Sequence, residues 1–310
     1  MKKILLLCYV ILLSAYSLPL LQILYHRYFP PKLTAQTVAV LTDEGETSLG
    51  MTEYLSGVVA AEMPASFEKE ALKAQAVAAR SYAMYCIQSG KHGGRVCTDP
   101  GCCQAWLSDS RMRLRWGTGY KEYHEKILDA VRATEGEYLS YMGAPAQAVF
   151  HSSSASVTEN SGNVWNAVPY LVSVSSPEGA GDVPEYISYV RVSPEELKSA
   201  VLSRHPEAVF PEEAEQWAGE LRRDSSGRVE SLTLGGTELS GREIRSLFLL
   251  RSTAFELTYE DGSFLFTVTG FGHGVGMSQY GANVMARNGA DYTSILAHYY
   301  PGTTLSVTES

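Results

Sequence analysis

Two neighbouring segments decide the fold: residues 54–64 read YLSGVVAAEMP and residues 70–82 read EALKAQAVAARSY. In the first segment, apolar side chains recur at helical spacing, which predicts a helix over residues 52–61. Met63 precedes a proline, so its backbone is biased away from the helical region. The helix should therefore end near Glu62.

The second segment predicts a longer helix over residues 67–88, with Ser66 as its N-cap. Its centre is rich in alanine, so other backbone can approach it closely. Further along the chain, residues 123–132 predict a shorter helix. Residues 193–205 begin with a capping box, in which Ser193 is followed three positions later by a glutamate.

Strand signals flank these helices. Residues 37–42 alternate like a strand, a turn follows, and residues 47–50 can return the chain as a hairpin. After residue 138 the sequence changes to short apolar runs broken by Gly, Pro and Ser, and residues 264–269 predict another strand. We therefore expect an α+β fold with two lobes and a substrate cleft.

The expected organisation has five parts. They are a membrane anchor (1–27), a linker with the first strands (28–50), a catalytic core (51–179), an inserted, lid-like subdomain (180–254), and the C-terminal part of the core (255–310).

Composition is that of a globular protein, with 45% apolar and 19% charged residues among 310. The formal net charge is −9, and no basic block interrupts it. An acidic body without a basic patch does not bind nucleic acid well, so we expect no nucleic-acid partner.

Residues 4–25 are uncharged and mostly apolar. At about 1.5 Å per residue, such a helix would span roughly 33 Å, enough to cross a bilayer. Lys2 and Lys3 precede it, which favours a cytoplasmic N-terminus and an extracytoplasmic body. A signal peptide cleaved near Ala15 is the main alternative, and a buried core helix is another.

Glu62 is the first candidate for chemistry. It ends an apolar helix, where the helix dipole and the apolar neighbours both oppose ionisation. A carboxyl with a raised pKa can serve as a general acid near neutral pH. The alternative is an ordinary solvated glutamate at a helix end.

The second candidate is a metal site. His92, Cys97, Cys102 and Cys103 lie in a loop that is rich in glycine and proline. Imidazole and thiolates are zinc ligands, and three of them would leave a fourth position open. Because the compartment is oxidising, a disulfide among Cys86 and these cysteines is the alternative, and free thiols are a third.

Two polar segments remain. His151, Ser152 and Ser153 open a hydroxyl cluster suited to sugar hydroxyls, or to an ordinary turn. Residues 270–281 read GFGHGVGMSQYG. This segment is not a nucleotide loop, because no βαβ unit surrounds it and its spacing is not G-x-G-x-x-G. In it, His273 and Gln279 could face a cleft, or His273 could be a buried structural histidine.

The two opening segments, the VCTD of residues 96–99, the CQAW of residues 103–106 and the FHSSS of residues 150–154 resemble the stage II sporulation protein D family. The likeness continues through GHGVGMSQYGA at residues 272–282 and HYYPG at residues 298–302. That family contains peptidoglycan lytic transglycosylases and amidase enhancers. Members often have Gly-Gly where this chain has Ala155 and Ser156, which questions the loop shape there.

The resemblance implies roles for individual residues. Glu62 falls on the catalytic glutamate. A zinc ion would be held by His92, Cys97 and Cys103, with Cys102 as a surplus thiol that competes with Cys103. Candidate substrate-binding residues carried by the matching motifs are Arg80, Tyr82, Gln104, His151, Ser152, Ser153, His273, Ser278 and Gln279.

The function that the resemblance implies is a membrane-anchored lytic transglycosylase. It would cut peptidoglycan glycan strands, already stripped of stem peptides, between mother cell and forespore. The implied partners are the sporulation amidase P and membrane protein M. The alternatives are a non-catalytic amidase enhancer and an exported zinc- or wall-binding module.

Overall fold

The computed structural model describes residues 37–308. The predicted membrane segment at residues 4–25 lies outside this range. Within the range, helices are either too short or too polar to cross a bilayer. Helices and several small sheets alternate along the chain, so the α+β class is confirmed.

The first sheet begins with the predicted hairpin. Strands β1 (Thr37–Thr42) and β2 (Gly45–Gly50) pair antiparallel through a tight turn. A third strand, β3 (Val96–Cys97), pairs parallel with β1. This pairing attaches the cysteine-containing loop to the sheet, because Cys97 lies opposite Leu41.

Helix α1 (Met51–Glu62) follows the hairpin directly and ends where the sequence predicts. Helix α2 (Lys69–Gln88) begins two residues later than predicted. Ser66 is not its N-cap. The backbone N–H of Phe67 closes a turn onto the Pro64 carbonyl, because the Phe67 ring is buried edge-on against Tyr280 with the ring centroids 4.9 Å apart.

Glu68 takes the N-cap position instead, without a capping bond from its own side chain. Its backbone N–H donates to Asn283 Oδ1 at 2.8 Å. The start of α2 is therefore fixed by a residue 215 positions away in sequence.

Helix α2 is the centre of the first core. Its alanine-rich face is fully buried, as the small residues predict, and neighbouring helices pack against it. The remaining elements of this part are α3 (Asp109–Trp116), α4 (Tyr120–Ala133), β4 (Glu137–Tyr141), β5 (Ala144–Pro145), β6 (Phe150–His151), α5 (Ser161–Val164), β13 (Met277–Ser278), α8 (Gln279–Arg287), α9 (Tyr292–Tyr299) and β14 (Thr304–Val307).

A second hydrophobic core lies in residues 192–268. Its elements are β7 (Ile187–Val192), α6 (Pro194–Leu202), β8 (Ala218–Arg223), β9 (Val229–Leu234), β10 (Thr237–Ser240), α7 (Gly241–Leu247), β11 (Phe255–Glu260) and β12 (Ser263–Thr269). The predicted capping box at Ser193 is confirmed by reciprocal hydrogen bonds with Glu196. Because β11 and β12 belong to this core, it extends past residue 254; the domain boundaries themselves stay predictions.

The two cores are joined by the glycine-rich segment that follows β12. Strand β13 pairs parallel with β6, so that Ser278 lies opposite His151. Two residues after His151, the backbone of Ser153 exchanges two hydrogen bonds with the backbone of Phe271 in the glycine-rich segment. This segment thus brings the predicted substrate-binding residues around His151 close to those around Gln279.

Candidate functional site

Glu62 is the last residue of α1 and is partly buried. Its Oε1 accepts a hydrogen bond from the Ala105 backbone N–H at 2.9 Å. Its Oε2 accepts one from Gln279 Nε2 at 3.4 Å. Three distant parts of the chain therefore meet at one carboxyl, and neither partner is itself a carboxylate or a base.

The helix of Glu62 makes room for the segment that contains Ala105. Leu107 donates its backbone N–H to the Gly57 carbonyl at 3.1 Å. A Cβ atom at Gly57 would collide with Trp106 Nε1 and would lie 2.6 Å from the Leu107 carbonyl oxygen. Gly57 is thus required for residues 105–107 to lie on α1 and for Ala105 to reach Glu62.

Burial raises the pKa of the Glu62 carboxyl above its usual value, although the hydrogen bonds from Ala105 and Gln279 partly oppose this shift. The position at the C-terminal end of α1 acts in the same direction as burial, because the helix dipole is negative there. A fraction of the protein therefore keeps a proton on Glu62 at pH values where an exposed glutamate has lost it.

The predicted metal ligands also come together. One donor atom each from His92, Cys97, Cys102 and Cys103 lies within 4.8 Å of the others. His92 Nε2 is 3.3 Å from Cys102 Sγ. The described cysteines, these three and Cys86, are free thiols, so the disulfide alternative is not formed in this structure.

The donor set fits zinc. In a tetrahedral site with Zn–S bonds of about 2.3 Å, ligand atoms are separated by roughly 3.8 Å. This value lies between the 3.3 Å of the His92–Cys102 pair and the 4.8 Å limit of the whole set. The surrounding loop is held from outside, because Lys91 and Tyr82 both donate to the Cys102 carbonyl. Cys102, the surplus thiol of the prediction, belongs to the same cluster as the three predicted ligands.

The loop of the four donor residues (92–103), here called the metal loop, is close in sequence to the backbone N–H that binds the Glu62 carboxyl. Only Gln104 separates Cys103 from Ala105, whose N–H holds Glu62. Gln104 is buried, and its Nε2 donates to Tyr54 Oη at 3.1 Å and to the Ala79 carbonyl at 3.2 Å. The order of the loop therefore determines the position of the Ala105 N–H.

His151 is buried in the strand opposite β13. Its Nδ1 lies 3.2 Å from the Val275 carbonyl, which can only accept, so Nδ1 carries the proton. Its Nε2 then accepts from Ser154 Oγ at 2.7 Å. Burial lowers the pKa of His151 well below its usual value, so the ring is neutral at pH 7.

The serines beside His151 serve mostly local structure. Ser153 is buried, and its backbone pairs with Phe271. Ser152 is partly buried and accepts at its carbonyl from the Tyr280 N–H at 3.0 Å. Ser278 is fully buried, caps α8 by accepting from the Gly281 N–H, and donates to Glu178.

His273 stands in the glycine-rich loop between two aromatic rings. Its centroid is 5.7 Å from that of His151 and 4.9 Å from that of Trp165. Its Nδ1 accepts from the Val275 N–H at 3.1 Å. Burial and the positive charge of Arg245 lower the pKa of His273 to about 4, so this ring is also neutral.

Two other predicted substrate residues lie within the framework. Arg80 is buried, and its Nη1 donates to the carbonyls of Thr134 and Glu137, both at 2.7 Å. Tyr82 is partly buried against the metal loop. Substrate binding by Arg80 and Tyr82 stays a prediction. In the structure, their hydrogen bonds join α2 to neighbouring segments.

The loop after the serines adopts the shape that glycine would favour. Ser156 has φ of +70°. A serine therefore occupies a left-handed backbone conformation here, which carries backbone strain that a glycine would not have.

Some residues that hold the site together carry no distinctive signal in the sequence. Ala105 contributes only its backbone, for which the sequence carries no signal. Arg228 is buried beside Gly274, and its Nε lies 3.6 Å from Glu159 Oε2. The turn before Arg228, residues 224–227, reads DSSG and is polar, so the sequence did not distinguish Arg228 from a solvated arginine.

The described residues line cavities of about 620, 390 and 450 Å³. The first and third share a wall formed by Val164, Arg242, Ser246 and Thr253, and they lie where the two cores meet. The third is also lined by Trp165 and His273. Glu62 does not line any of these three cavities.

Known proteins resemble this chain over most of its length. A model of the SpoIID family, described as "Stage II sporulation protein", matches residues 46–141. Stage II sporulation protein D of Bacillus amyloliquefaciens is 37% identical and is aligned over 85% of this chain and 76% of its own length. The protein of the same name from Bacillus subtilis (strain 168) is 36% identical, over 84% and 75%. The amidase enhancer of Bacillus subtilis (strain 168) is 28% identical, over 81% of this chain and 40% of its own length.

Proposed function

Because the chain belongs to the stage II sporulation protein D family, we propose that it is a lytic transglycosylase of peptidoglycan glycan strands, with Glu62 as its acid and base. It cleaves the β-1,4 bond between N-acetylmuramic acid and N-acetylglucosamine in strands that lack stem peptides. The observation that carries this proposal is the setting of Glu62: one carboxyl with a raised pKa, held by an amide and a glutamine.

The partners of Glu62 favour a reaction that needs one carboxyl. A glycoside hydrolase normally uses two, about 5–5.5 Å or 6.5–9.5 Å apart. Ala105 N–H and Gln279 Nε2 are donors only, so they orient Glu62 and cannot take a proton from water. The nucleophile is then a group of the substrate itself, the 6-hydroxyl of N-acetylmuramic acid.

The proton passes in a short cycle. Protonated Glu62 donates to the glycosidic oxygen as the bond from that oxygen to C1 breaks. The 6-hydroxyl attacks C1, a new C1–O6 bond closes the 1,6-anhydro ring, and Glu62 takes the hydroxyl proton. Because the nucleophile is intramolecular, its effective concentration can reach roughly 10⁵ M or more.

The cofactor of the proposal is zinc, held by His92, Cys97 and Cys103, with Cys102 as a fourth donor in reach. If Cys102 also served as a ligand, the four donors would form a closed site, in which zinc would supply a structural cross-link. The residues around it then keep residues 102–105 in register, so that the Ala105 N–H stays on Glu62.

The location and partners complete the proposal. Residues 4–25 anchor the protein in the membrane as a single span, with the body outside, in the space between mother cell and forespore. The sporulation amidase P and membrane protein M are its partners there. Removal of stem peptides by an amidase would supply the stripped strands that this protein cuts.

The test compares wild type with Glu62→Gln on stripped glycan strands, with products identified by mass spectrometry. We expect 1,6-anhydro ends from wild type and roughly a hundredfold fewer from the variant, as for loss of a general acid. Glu68→Gln makes the same change of charge at an exposed glutamate, so it is a matched control that should keep full activity.

The relative named amidase enhancer supports a second function, a non-catalytic protein that binds cell wall and stimulates an amidase. Under that function, wild type yields no anhydro ends but increases the activity of an added amidase. A zinc- or wall-binding module predicts a third result, in which Glu62→Gln leaves every measured activity unchanged.

Zinc content is measured separately by elemental analysis of the purified protein. We expect His92→Ala to lower it, and Cys86→Ser, at a thiol outside the four-donor cluster, to leave it unchanged. Cys102→Ser distinguishes a site of four protein ligands from one of three. Unchanged zinc in His92→Ala would remove His92 from the ligand set.

A further inference from the structure

A cavity of about 450 Å³ lies where the two cores meet, away from Glu62. One wall is Trp165, an exposed aromatic side chain with 44% of its surface accessible. His273 packs against this indole at 4.9 Å and fixes its position. An exposed, fixed aromatic face beside a cavity is typical of a binding surface for a flat, partly apolar group such as a sugar ring.

The lining of this cavity also carries two positive charges. Arg242 and Arg245 lie three residues apart on α7, so they are neighbours on one helix face. Arg245 donates through Nε to the Leu250 carbonyl at 3.1 Å, and Arg242 donates to the Val164 carbonyl. Each of these bonds uses one of the five N–H donors of a guanidinium, so the other donors can bind a ligand.

These arginines lack acidic partners in residues 37–308, whereas most other arginines there form ion pairs. The acids nearby, Glu159, Asp224, Glu230 and Glu243, line the adjoining cavity of about 620 Å³. Arg245 is partly buried, and burial together with the charge of Arg228 lowers its pKa. A positive charge that is partly removed from water and unpaired favours binding of an anion.

The cavity is connected to Glu62 by contacts. His273 lies between Trp165 and His151, and His151 lies opposite Ser278 across the β6–β13 pair. The next residue, Gln279, donates to Glu62. These contacts pass through buried side chains, His151, Ser278 and Gln279, so they fix the wall of the cavity relative to Glu62 and do not themselves form a path for the polymer.

We propose that Trp165, Arg242 and Arg245 form a subsite for a carboxylate-bearing sugar, the lactyl carboxylate of N-acetylmuramic acid in a stripped strand. This inference rests on the proposed function for the identity of the polymer. The sugar ring packs on Trp165, and the guanidinium groups donate to the carboxylate. A lactyl group still joined to a stem peptide is an uncharged amide, which removes the charge-assisted bonds, so the subsite selects stripped strands.

The test measures binding without turnover, in the full-length chain carrying Glu62→Gln. The probes are stripped glycan strands, strands that keep their stem peptides, and neutral N-acetylglucosamine oligomers. We expect the stripped strands to bind most tightly, and Arg245→Gln to weaken that binding by about tenfold, since hydrogen bonds to charged groups are the stronger class. Binding of the neutral oligomers should not change.

Arg222→Gln is the matched control, because Arg222 is an arginine of the same part of the chain that pairs with Glu238 at the surface. Arg242→Gln is a second variant at an exposed position, so a folding defect of Arg245→Gln would not decide the result. Equal weakening on charged and neutral probes, or none, would overturn the subsite. Equal Arg245-dependent binding of strands with stem peptides would overturn the lactyl assignment in favour of peptide carboxylates.

This experiment is independent of catalysis. Wild type that releases no anhydro products while Arg245-dependent binding of stripped strands persists would contradict the proposed activity and support the subsite. Anhydro products from wild type with no effect of either arginine would contradict the subsite alone.

Discussion

At the scale of single residues, the Glu62 carboxyl makes the stability of the fold depend on pH. Burial raises its pKa above the value of 4.5 that it has when exposed. The folded state therefore binds this proton more tightly than the unfolded state. The resulting stabilisation is fully present below pH 4.5 and is lost as pH rises through the raised pKa.

We predict that Glu62→Gln gains stability relative to wild type as pH rises from 5 to 8. Glutamine keeps the shape and the acceptor for Ala105 N–H but carries no charge to bury. Urea unfolding of both proteins at the two pH values measures the difference. A difference that does not depend on pH would mean that Glu62 titrates normally.

Ser156 is a non-glycine residue in a left-handed turn, with φ of +70°. A non-glycine residue in the left-handed region costs roughly 1–2 kcal/mol, and glycine costs about 0.5–1 kcal/mol in lost chain freedom. We predict that Ser156→Gly raises the free energy of unfolding by up to about 1 kcal/mol, measured by urea unfolding. Ser152→Gly, in a neighbouring position without positive φ, should be destabilising instead.

At the scale of elements, Gly57 determines how closely residues 105–107 approach α1. We predict that Gly57→Ala displaces Trp106 and Leu107, costs about 1–3 kcal/mol, and lowers activity because Ala105 N–H leaves Glu62. Thermal unfolding and release of anhydro products measure the two effects. Gly90→Ala, in an open left-handed turn where a Cβ meets no atom within 4 Å, is the control for strain alone. Full activity of Gly57→Ala would show that Ala105 does not position the carboxyl.

Several helix ends in both cores could be predicted because their signals are local. Apolar spacing and Pro64 indicated the end of α1, and Ser193 with Glu196 indicated a capping box. Ser66 was a wrong N-cap because burial of Phe67 against Tyr280 decides the turn, and this contact joins residues far apart in sequence. Local capping preferences cannot report such a contact.

Part of the candidate site could also be predicted from the sequence. Side chains with distinctive chemistry, such as His92 and Cys97, identified the cluster that the structure brings together. The backbone N–H of Ala105, the space at Gly57 and the unpaired charge of Arg245 depend on tertiary packing, so residue type alone did not indicate them.

At the scale of the whole molecule, one buried ion pair connects the two cores. Arg228, from the turn between β8 and β9, lies against the glycine-rich loop, and its partner Glu159 is 1% exposed. Burial and a hydrogen bond to Asp224 raise the pKa of Glu159 to about 7. The pair is therefore sensitive to pH in the neutral range.

We predict that Arg228→Met costs about 3–5 kcal/mol, as expected when one partner of a buried pair is removed. The cost should be smaller at pH 6 than at pH 8, because Glu159 is then mostly protonated and leaves no unpaired charge. The double variant with Glu159→Gln should recover part of the loss. Urea unfolding at both pH values measures these differences; a cost that is equal at both would exclude Glu159 as the responsible group.

The hydrogen bond between Gln279 and Glu62 joins residues 217 positions apart. A ribosome makes Glu62 long before it makes Gln279, so a nascent or truncated chain holds its acid without the strand and helix that orient it. The orientation of this carboxyl is thereby deferred until the C-terminal segment has been synthesised and has docked.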